Sequence, residues 1–330
     1  MLKNIHVLAT GGTIAGKGAE STSNNYGVGD VDVAMLLTDL PELQAIANLS
    51  GEQPINVGGA DVSLNDWVQL AGRANQLLQQ NNIDGLVVTH GTDTLEETAY
   101  FLHLTLKSHK PVVVVGAMRP STSLSADGPL NLYEAVQVAA SDSAVGMGVL
   151  VVLNGTIFSA ADIAKMDTQA INAFKSVSNG PLGYVSRNHV EFQTQSLKPH
   201  TVKTPFRVDE TTALPQVAII YEYIGNDGWL LKQLINSEIQ GVVLAGVGEG
   251  NLTPASRAYL PRLREQGVLI VRSSRTGHGV VGYHDWMQLD DSLGLIPAHR
   301  LNPQKARILL MLALTQTRDI ETIRRYFKMY

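Results

Sequence analysis

Two groups of hydroxyl and carboxylate side chains follow apolar runs in this chain, and side chains of these types can carry nucleophilic chemistry. Thr10-Gly11-Gly12-Thr13 follows the run Ile5–Ala9, and His90-Gly91-Thr92-Asp93-Thr94 follows the run Leu86–Thr89. A threonine hydroxyl is a weak nucleophile that needs a neighbouring base or charged group before it attacks a carbon atom. Glycines let the backbone turn sharply and approach a ligand closely. Two such segments together predict one catalytic site.

Each segment also has a plainer interpretation when it is taken alone. Gly11-Gly12 fits an ordinary turn with Thr13 as a helix N-cap, and Thr10–Gly16 lacks the G-x-G-x-x-G spacing of a dinucleotide-binding loop. Thr92-Asp93-Thr94, with Glu96 and Glu97, fits a polar helix start, since acidic residues favour the first turn of a helix. Finding both segments after strand-like runs favours function over these interpretations.

Short apolar runs alternate with amphipathic stretches over the first half of the chain, which predicts an α/β fold. Runs without polar alternation suit strands that are buried on both faces of a parallel sheet. We expect an N-terminal doubly wound, mostly parallel sheet with helices on both faces. The predicted strands are Ile5–Ala9, Leu86–Thr89, Val112–Val115 and Val149–Leu153, and the predicted helices are Leu64–Gln80, Leu95–Leu106 and Asn131–Ala140. Ligands in such sheets bind beyond the carboxyl ends of the strands, where both polar segments lie.

The length of 330 residues suits two domains better than one. The alternation loosens after about residue 180 and resumes near residue 214. We therefore expect an N-terminal α/β domain over 1–190, a long linker over 191–213 and a smaller C-terminal α/β domain over 214–330. In the last of these the predicted strands are Val217–Tyr221, Gly241–Ala245 and Val268–Arg272, and the predicted helices are Gly228–Asn236, Pro254–Gln266 and Pro303–Thr315.

Composition excludes several functional classes. The formal net charge is −5 and the chain has no basic block, so nucleic acid is not an expected partner. There is no cysteine, which rules out thiolate nucleophiles and disulfides, and the nine histidines show no metal-binding spacing. Apolar runs such as Pro111–Val115 are too short to span a membrane. The strand-like start at Met1–Leu8 predicts a cytoplasmic protein without a signal peptide, and a mature periplasmic chain with an added Met1 is the alternative.

Several segments, taken in order along nearly the whole chain, resemble the bacterial type II L-asparaginases and the related glutaminase-asparaginases. The two most specific are Leu8–Gly16 and Thr89–Ala99. The resemblance continues through Gly116-Ala117-Met118-Arg119-Pro120, Ser125-Ala126-Asp127-Gly128-Pro129, Gly180-Pro181-Leu182-Gly183, Arg272-Ser273-Ser274-Arg275 and Leu301-Asn302-Pro303-Gln304-Lys305-Ala306-Arg307. It implies hydrolysis of the side-chain amide of L-asparagine to L-aspartate and ammonia through an acyl-enzyme, without a metal or organic cofactor.

The resemblance also implies a role for each of five residues. Thr13 matches the nucleophilic threonine, and Tyr26 matches a tyrosine of a mobile, glycine-rich lid that lies against that hydroxyl. Thr92 matches the second catalytic threonine, and Lys165 matches the lysine that polarises it. Asp93 matches the carboxylate that pairs with this lysine and holds the α-ammonium of the substrate. Without the resemblance, Lys165 fits an ordinary surface lysine and Tyr26 fits a packed loop aromatic.

The expected substrate contacts depart from the family pattern in three places. Gly59-Ala60 stands where the family usually has a serine followed by Gln or Glu, and Glu249 stands in a turn that often carries Asn or Ser. Asp285 is the only carboxylate near the position of a glutamate that the neighbouring subunit usually supplies. Thr92, Asp93 and the backbone around Ala117 complete the expected contacts. Amide hydrolysis is therefore the firmer expectation, and preference for asparagine the weaker one.

The resemblance further implies a homotetramer built as a dimer of dimers, acting on a small amino-acid amide. Charged residues make up only 17% of the chain, which agrees with extensive burial between subunits. The alternatives are a glutaminase-asparaginase, an amidase for a related or D-amino-acid amide, and a catalytically weak sensor that binds an amino acid. The presence of Thr13, Thr92, Asp93 and Lys165 counts against a sensor.

Overall fold

The chain divides into two compact units, Met1–Thr212 and Ala213–Tyr330. A computed structural model describes residues 1–18, 26–27, 32–186, 189–283 and 289–330. The stretch predicted as a linker, 191–213, belongs to the first unit as far as Thr212.

An eight-stranded sheet forms the frame of the first unit, and its strand order is β12-β11-β8-β7-β6-β5-β1-β4. Strands β4, β1, β5, β6 and β7 are parallel, whereas β8, β11 and β12 are added antiparallel at one side. The strands of the unit are β1 (Lys3–Ala9), β2 (Lys17–Gly18), β3 (Tyr26–Gly27), β4 (Ala47–Glu52), β5 (Gly85–Thr89), β6 (Val112–Val115), β7 (Val149–Leu153), β8 (Thr156–Ser159), β9 (Ile163–Lys165), β10 (Phe174–Ser176), β11 (Gly183–Ser186) and β12 (His189–Phe192). Two hairpins, β2–β3 and β9–β10, stand apart from this sheet.

Helices cover the parallel part of the sheet on both faces. They are α1 (Val33–Thr38), α2 (Leu64–Leu78), α3 (Leu95–Thr105) and α4 (Gly128–Ala140). Side chains alternate along a strand, so Ile5 and Val7 pack on the α4 side together with Val87 and Val113. On the opposite face α2 packs against α3, where the rings of Trp67 and Phe101 stack 5.1 Å apart. The four valines of β6 are fully buried or nearly so, as expected for a strand covered on both faces.

The second unit is a smaller α/β domain with a four-stranded parallel sheet in the order β13-β14-β15-β16. Its strands are β13 (Val217–Tyr221), β14 (Gly241–Gly246), β15 (Leu269–Ser274) and β16 (Ile296–Pro297), and its helices are α5 (Trp229–Leu234), α6 (Pro254–Glu265), α7 (Leu289–Ser292), α8 (Pro303–Leu314) and α9 (Ile320–Met329). Proline at the first position and a capping side chain start two of the helices. Thr253 caps α6, and Asn302 caps α8.

The mixed α/β architecture predicted from the sequence is confirmed, and the predicted strands and helices coincide with observed ones to within a few residues. The antiparallel addition to the first sheet was not predicted, nor were α1, β4 and α9. Within the described part of the chain no helix is long and apolar enough to cross a membrane.

Candidate functional site

The carboxyl ends of β1, β5 and β6 lie side by side, because the three strands are parallel neighbours. Thr10 continues the ladder beyond β1, with its backbone N–H and its hydroxyl both donating to the Thr89 carbonyl at 3.2 and 2.8 Å. The His90 N–H donates to the Val115 carbonyl at 2.8 Å. The two polar segments picked out by the sequence therefore leave the sheet at one edge, as expected for segments that follow parallel strands.

Three glycines bring the connecting loops into backbone contact. A Cβ atom at Gly12 would lie only 2.4 Å from the Gly91 Cα, and a Cβ atom at Gly91 would lie 2.8 Å from the Gly59 Cα. Gly12 also has φ +81°, a conformation that L side chains rarely adopt. The Thr94 hydroxyl donates to the Gly59 carbonyl and ties the third loop to the second. The three loops therefore pack backbone against backbone. A side chain larger than hydrogen at Gly12 or Gly91 would clash with the neighbouring loop.

Thr13 begins a single 3-10 turn, Thr13–Ala15, directly after this glycine contact. The cap residue of the turn is Gly12, so the interpretation of Thr13 as a helix N-cap is wrong. The residue is 9% exposed and Ile14 and Ala15 beyond it are buried. Thr13 therefore lies on a short, well-packed turn whose position depends on the loop contact at Gly12.

Lys165 joins the two residues predicted to work with it. Its ammonium donates to Thr92 Oγ1 at 3.0 Å and to Asp93 Oδ1 at 2.7 Å. The side chain of Lys165 is 18% exposed, whereas that of Asp93 is 66% exposed. The lysine thus orients a buried hydroxyl, and the Asp93 carboxylate remains open to a cationic group from solvent.

Glu96 is a further member of this cluster, although its sequence context indicated only a helix start. Its carboxylate accepts the backbone N–H of Lys165 at 3.1 Å, so the first turn of α3 holds the backbone of the lysine while the loop before it holds the side chain. The side chain of Glu96 is buried, at 8% exposure, although it opens helix α3. A carboxylate on the apolar face of a helix is the sequence signal for this role, but its partner lies 69 residues away.

The loop after β6 is held by a carboxylate from the start of α4. Asp127 accepts the backbone N–H groups of Met118 and Arg119, both at 2.9 Å. Ala117 is fully buried between these anchors and Gly116. A Cβ atom at Gly116 would come within 3.1 Å of the Thr92 methyl group, so this loop packs directly against the second threonine. Ala117 therefore follows a glycine that packs against Thr92, and its expected contact with the substrate amide stays a prediction.

The structure describes the remaining predicted residues of the site only in part. Gly59 is buried at the glycine contact and Ala60 is exposed. Tyr26 pairs through its backbone with Gly18 in the β2–β3 hairpin, and the position of its side chain lies outside the described structure. Asp285 also lies outside the described residues.

Glu249 belongs to the second unit, where it is exposed in the tight turn between Val247 and Asn251. Its carboxylate accepts the Gly282 N–H at 3.2 Å. The Arg272 guanidinium donates to the Glu249 carbonyl at 2.8 Å and pairs with the buried Asp290 carboxylate at 2.6 Å. The carboxylate of Glu249 is therefore set by contacts within its own unit.

The described residues contain no group of three or more His, Asp or Glu side chains arranged to hold a metal ion.

His90 is a second residue that sequence reasoning missed: it is 1% exposed, next to Gly91, and burial lowers the pKa of its imidazole. What the arrangement offers chemically is a pair of threonines, a lysine and a partly open carboxylate on one rim.

Comparison with known proteins agrees with this chemistry. The family described as "Asparaginase, N-terminal" matches residues 4–198, and "Glutaminase/Asparaginase C-terminal domain" matches residues 216–327. The chain is 47% identical to "L-asparaginase 2" of Escherichia coli, over 100% of this chain and 94% of that protein, and 43% identical to "Glutaminase-asparaginase" of Pseudomonas fluorescens, over 100% and 91%. A crystal structure titled "Probable Cytoplasmic L-asparaginase from Campylobacter jejuni" superposes with a TM-score of 0.96 at 43% identity, covering 99% of this chain and 100% of that one. This chain is an amidohydrolase that belongs to the asparaginase family.

Proposed function

We propose that this chain hydrolyses the side-chain amide of L-asparagine, giving L-aspartate and ammonia, with Thr13 as the nucleophile. The observation that carries the proposal is the Lys165 ammonium, which contacts Thr92 Oγ1 at 3.0 Å and Asp93 Oδ1 at 2.7 Å. It lies at the strand edge from which the Thr13 turn also leaves the sheet.

In the first half-reaction the Thr13 oxygen forms a bond to the amide carbon, and the carbon–nitrogen bond breaks. The proton of the threonine hydroxyl leaves with the NH2 group as ammonia, and an aspartyl ester of Thr13 remains. Backbone N–H groups near the Ala117 loop stabilise the negative charge that develops on the carbonyl oxygen. The small, fully buried Ala117 allows the substrate amide to approach that backbone closely.

In the second half-reaction a water molecule attacks the ester carbon. Thr92 Oγ1 orients that water, and Lys165 orients the threonine in turn. The ester oxygen returns to Thr13 as a hydroxyl, and the oxygen of the water stays on the aspartate. The balance is one amide and one water consumed, with one carboxylic acid and one ammonia produced.

Substrate orientation depends on the exposed carboxylate of Asp93, which pairs with the α-ammonium of the amino acid. Thr92 contributes its hydroxyl, and the backbone N–H groups of Gly59 and Ala60 replace the side chains that the family usually offers to the α-carboxylate. Each charge-assisted hydrogen bond lost at that carboxylate costs about 1.5–3 kcal/mol, or roughly 10- to 150-fold in binding. We expect weaker binding of asparagine than a pocket with both side chains provides.

A homotetramer, assembled as a dimer of dimers, completes the proposed site. Glu249 or Asp285 of a neighbouring subunit supplies a second carboxylate for the α-ammonium. Sedimentation of the purified protein should give a tetramer, and a fully active monomer would refute this arrangement.

The cytoplasmic location expected from the sequence, with a periplasmic location as the alternative, is tested by fractionating source cells.

A broader glutaminase-asparaginase activity is the second candidate. It is favoured by Gly59-Ala60, since an exposed alanine beside the open Asp93 carboxylate restricts the length of the substrate less than a longer side chain does. Under this alternative the same residues act on a substrate with one more methylene group.

The test is ammonia release from L-asparagine, L-glutamine and D-asparagine by wild type, Thr13→Ala and Thr13→Ser. Wild type should prefer L-asparagine. Loss of the attacking hydroxyl in Thr13→Ala should lower kcat by several orders of magnitude, roughly 10³-fold or more, while Thr13→Ser keeps a hydroxyl and measurable turnover. A folded Thr13→Ala protein with wild-type turnover would show that the nucleophile is another residue, and equal rates on glutamine would favour the second candidate.

A further inference from the structure

A chain of buried hydrogen bonds runs from helix α2 to the loop that carries Thr92 and Asp93. The indole N–H of Trp67 donates to Thr98 Oγ1 at 2.8 Å, and Thr98 Oγ1 lies 2.9 Å from His90 Nε2. The other ring nitrogen, His90 Nδ1, lies 2.8 Å from the Gly91 carbonyl oxygen. Trp67, Thr98 and His90 are each at most 5% exposed.

Elementary hydrogen-bond chemistry fixes every proton along this chain. A carbonyl oxygen only accepts, so His90 Nδ1 must carry a proton. Burial lowers the pKa of the imidazole, so the ring is neutral and Nε2 is an acceptor. An indole only donates, so Thr98 receives that bond and gives its own hydroxyl proton to Nε2. The tautomer of His90 is thereby set by the Gly91 carbonyl at one ring nitrogen and by Thr98 and Trp67 at the other.

The carbonyl that receives the last hydrogen bond belongs to the residue before Thr92. Gly91 is also the glycine that contacts both Gly12 and Gly59. A Cβ atom at Gly12 would lie 2.4 Å from the Gly91 Cα, and a Cβ atom at Gly91 would lie 2.8 Å from the Gly59 Cα. The orientation of the Gly91–Thr92 peptide therefore affects the loop that carries Thr13 and the loop that carries Gly59. A rotation of this peptide would move Thr92 Oγ1 and Asp93 relative to the Lys165 ammonium.

We propose that His90, held as its Nδ1–H tautomer by Thr98 and Trp67, is a positioning residue that sets the Thr92–Asp93 pair for turnover. This inference rests on the proposed function for its kinetic consequences, and on the hydrogen-bond geometry alone for the tautomer. His90 touches neither the substrate nor the reacting atoms. Its contribution is the direction of one peptide group, which fixes the distance between the second threonine and its lysine.

The first test compares two matched threonine substitutions. Thr98→Val removes the proton donor of His90 Nε2, whereas Thr204→Val removes a buried hydroxyl that donates to the Leu104 carbonyl at the opposite end of helix α3. Both should lower the thermal midpoint. A displacement of about 1 Å in the catalytic pair costs on the order of 10²-fold in rate, so Thr98→Val should lose about tenfold or more in kcat, with little change in KM. Thr204→Val should keep wild-type kcat.

The second test substitutes His90 itself. In His90→Asn the side-chain amide lies where Nδ1 was and can donate to the Gly91 carbonyl, whereas His90→Leu offers no donor. The asparagine variant should therefore recover about tenfold in kcat over the leucine variant. If the two have equal kcat at equal folded fraction, or if Thr98→Val keeps kcat within twofold of wild type, His90 does not position the pair.

A third measurement is independent of turnover. Nitrogen-15 spectra of the imidazole rings in the wild-type protein should show one histidine locked as the neutral Nδ1–H tautomer at neutral pH, and Thr98→Val should abolish the locked signal. A His90 ring that titrates like a free imidazole, or that carries its proton on Nε2, would overturn the inference. If wild type releases no ammonia from any amide, the proposed function fails, while these spectra still decide whether His90 is held as described.

Discussion

The contact between Gly12 and Gly91 makes a sharp prediction for the substitution Gly12→Ala. The new methyl carbon would lie 2.4 Å from both Cα and N of Gly91. Carbon atoms in contact prefer about 3.5–4.0 Å, so the two loops must separate by roughly 1 Å. Neither neighbour can yield by rotating a side chain, because both contacting groups are backbone.

The expected effect of Gly12→Ala has two parts, one on folding stability and one on the rate of hydrolysis. Alanine at φ +81° and ψ −177° costs about 1–3 kcal/mol in folding stability, because this backbone region is populated almost only by glycine. The separation of the loops moves the Thr13 turn relative to Thr92, and a misplacement of about 1 Å lowers the rate on the order of 10²-fold. Gly12→Ala should therefore lose about 10²-fold in kcat/KM for asparagine, more than its stability loss alone implies.

Gly146→Ala is the matched control, because Gly146 has φ +77° and no described atom lies within 4 Å of the position that its new methyl carbon would occupy. It should lose the stability that an alanine at positive φ costs, measured by urea unfolding, and keep wild-type kinetics of ammonia release. If Gly12→Ala keeps activity within threefold of wild type, or if Gly146→Ala loses as much activity as Gly12→Ala, then the glycine contact does not control the site.

Three further predictions concern buried charges. Glu96→Ala removes the acceptor of the Lys165 N–H and should cost about 1.5–3 kcal/mol in unfolding free energy and lower kcat, with much of both restored in Glu96→Gln; unchanged kinetics would contradict this. Desolvation, with a smaller contribution from Arg207, lowers the pKa of Lys107 to about 8. The unfolded chain therefore binds more protons between pH 8 and the ordinary lysine value, and wild type should gain stability relative to Lys107→Met as pH rises through that window; a flat difference in urea unfolding would contradict it. Asp290→Ala leaves the Arg272 guanidinium, 4% exposed, without its carboxylate and should destabilise the chain by about 3–5 kcal/mol, measured as a lower urea midpoint.

The parallel strands could be predicted from the sequence because burial on both faces leaves an uninterrupted apolar run. Val112–Val115 is a clear case, with all four side chains in the core. Helix α9 was not predicted, since its surface is mostly polar and its core contact rests on Ile323 and Phe327, spaced by four residues. The antiparallel strands β8, β11 and β12 have four residues each, and β11 and β12 carry polar residues at exposed positions, so such segments resemble loops in a sequence.

Site residues could be predicted from the sequence where their residue type and position indicate chemistry. Residues whose role depends on a partner far away in the chain could not be predicted. Threonine and aspartate were chosen as candidates because they directly follow predicted strands, whereas Lys165 was found through the family resemblance alone. Glu96 and His90 act through the Lys165 N–H and through Thr98, and neither pairing leaves a local pattern. Their roles become visible only when the chain is folded.

The contacts of Lys165 with Thr92 and Asp93 join residues that are 73 and 72 positions apart in the chain. Contacts between distant residues form slowly, because the loop between them must close before the contact stabilises it. A ribosome adds about 5–20 residues per second, so a nascent chain that already contains both threonines waits several seconds before its lysine is even synthesised. The contacts of Lys165 therefore cannot form until half of the chain has been synthesised, and a chain interrupted before β9 (Ile163–Lys165) carries the proposed nucleophile without the cation that orients its partner.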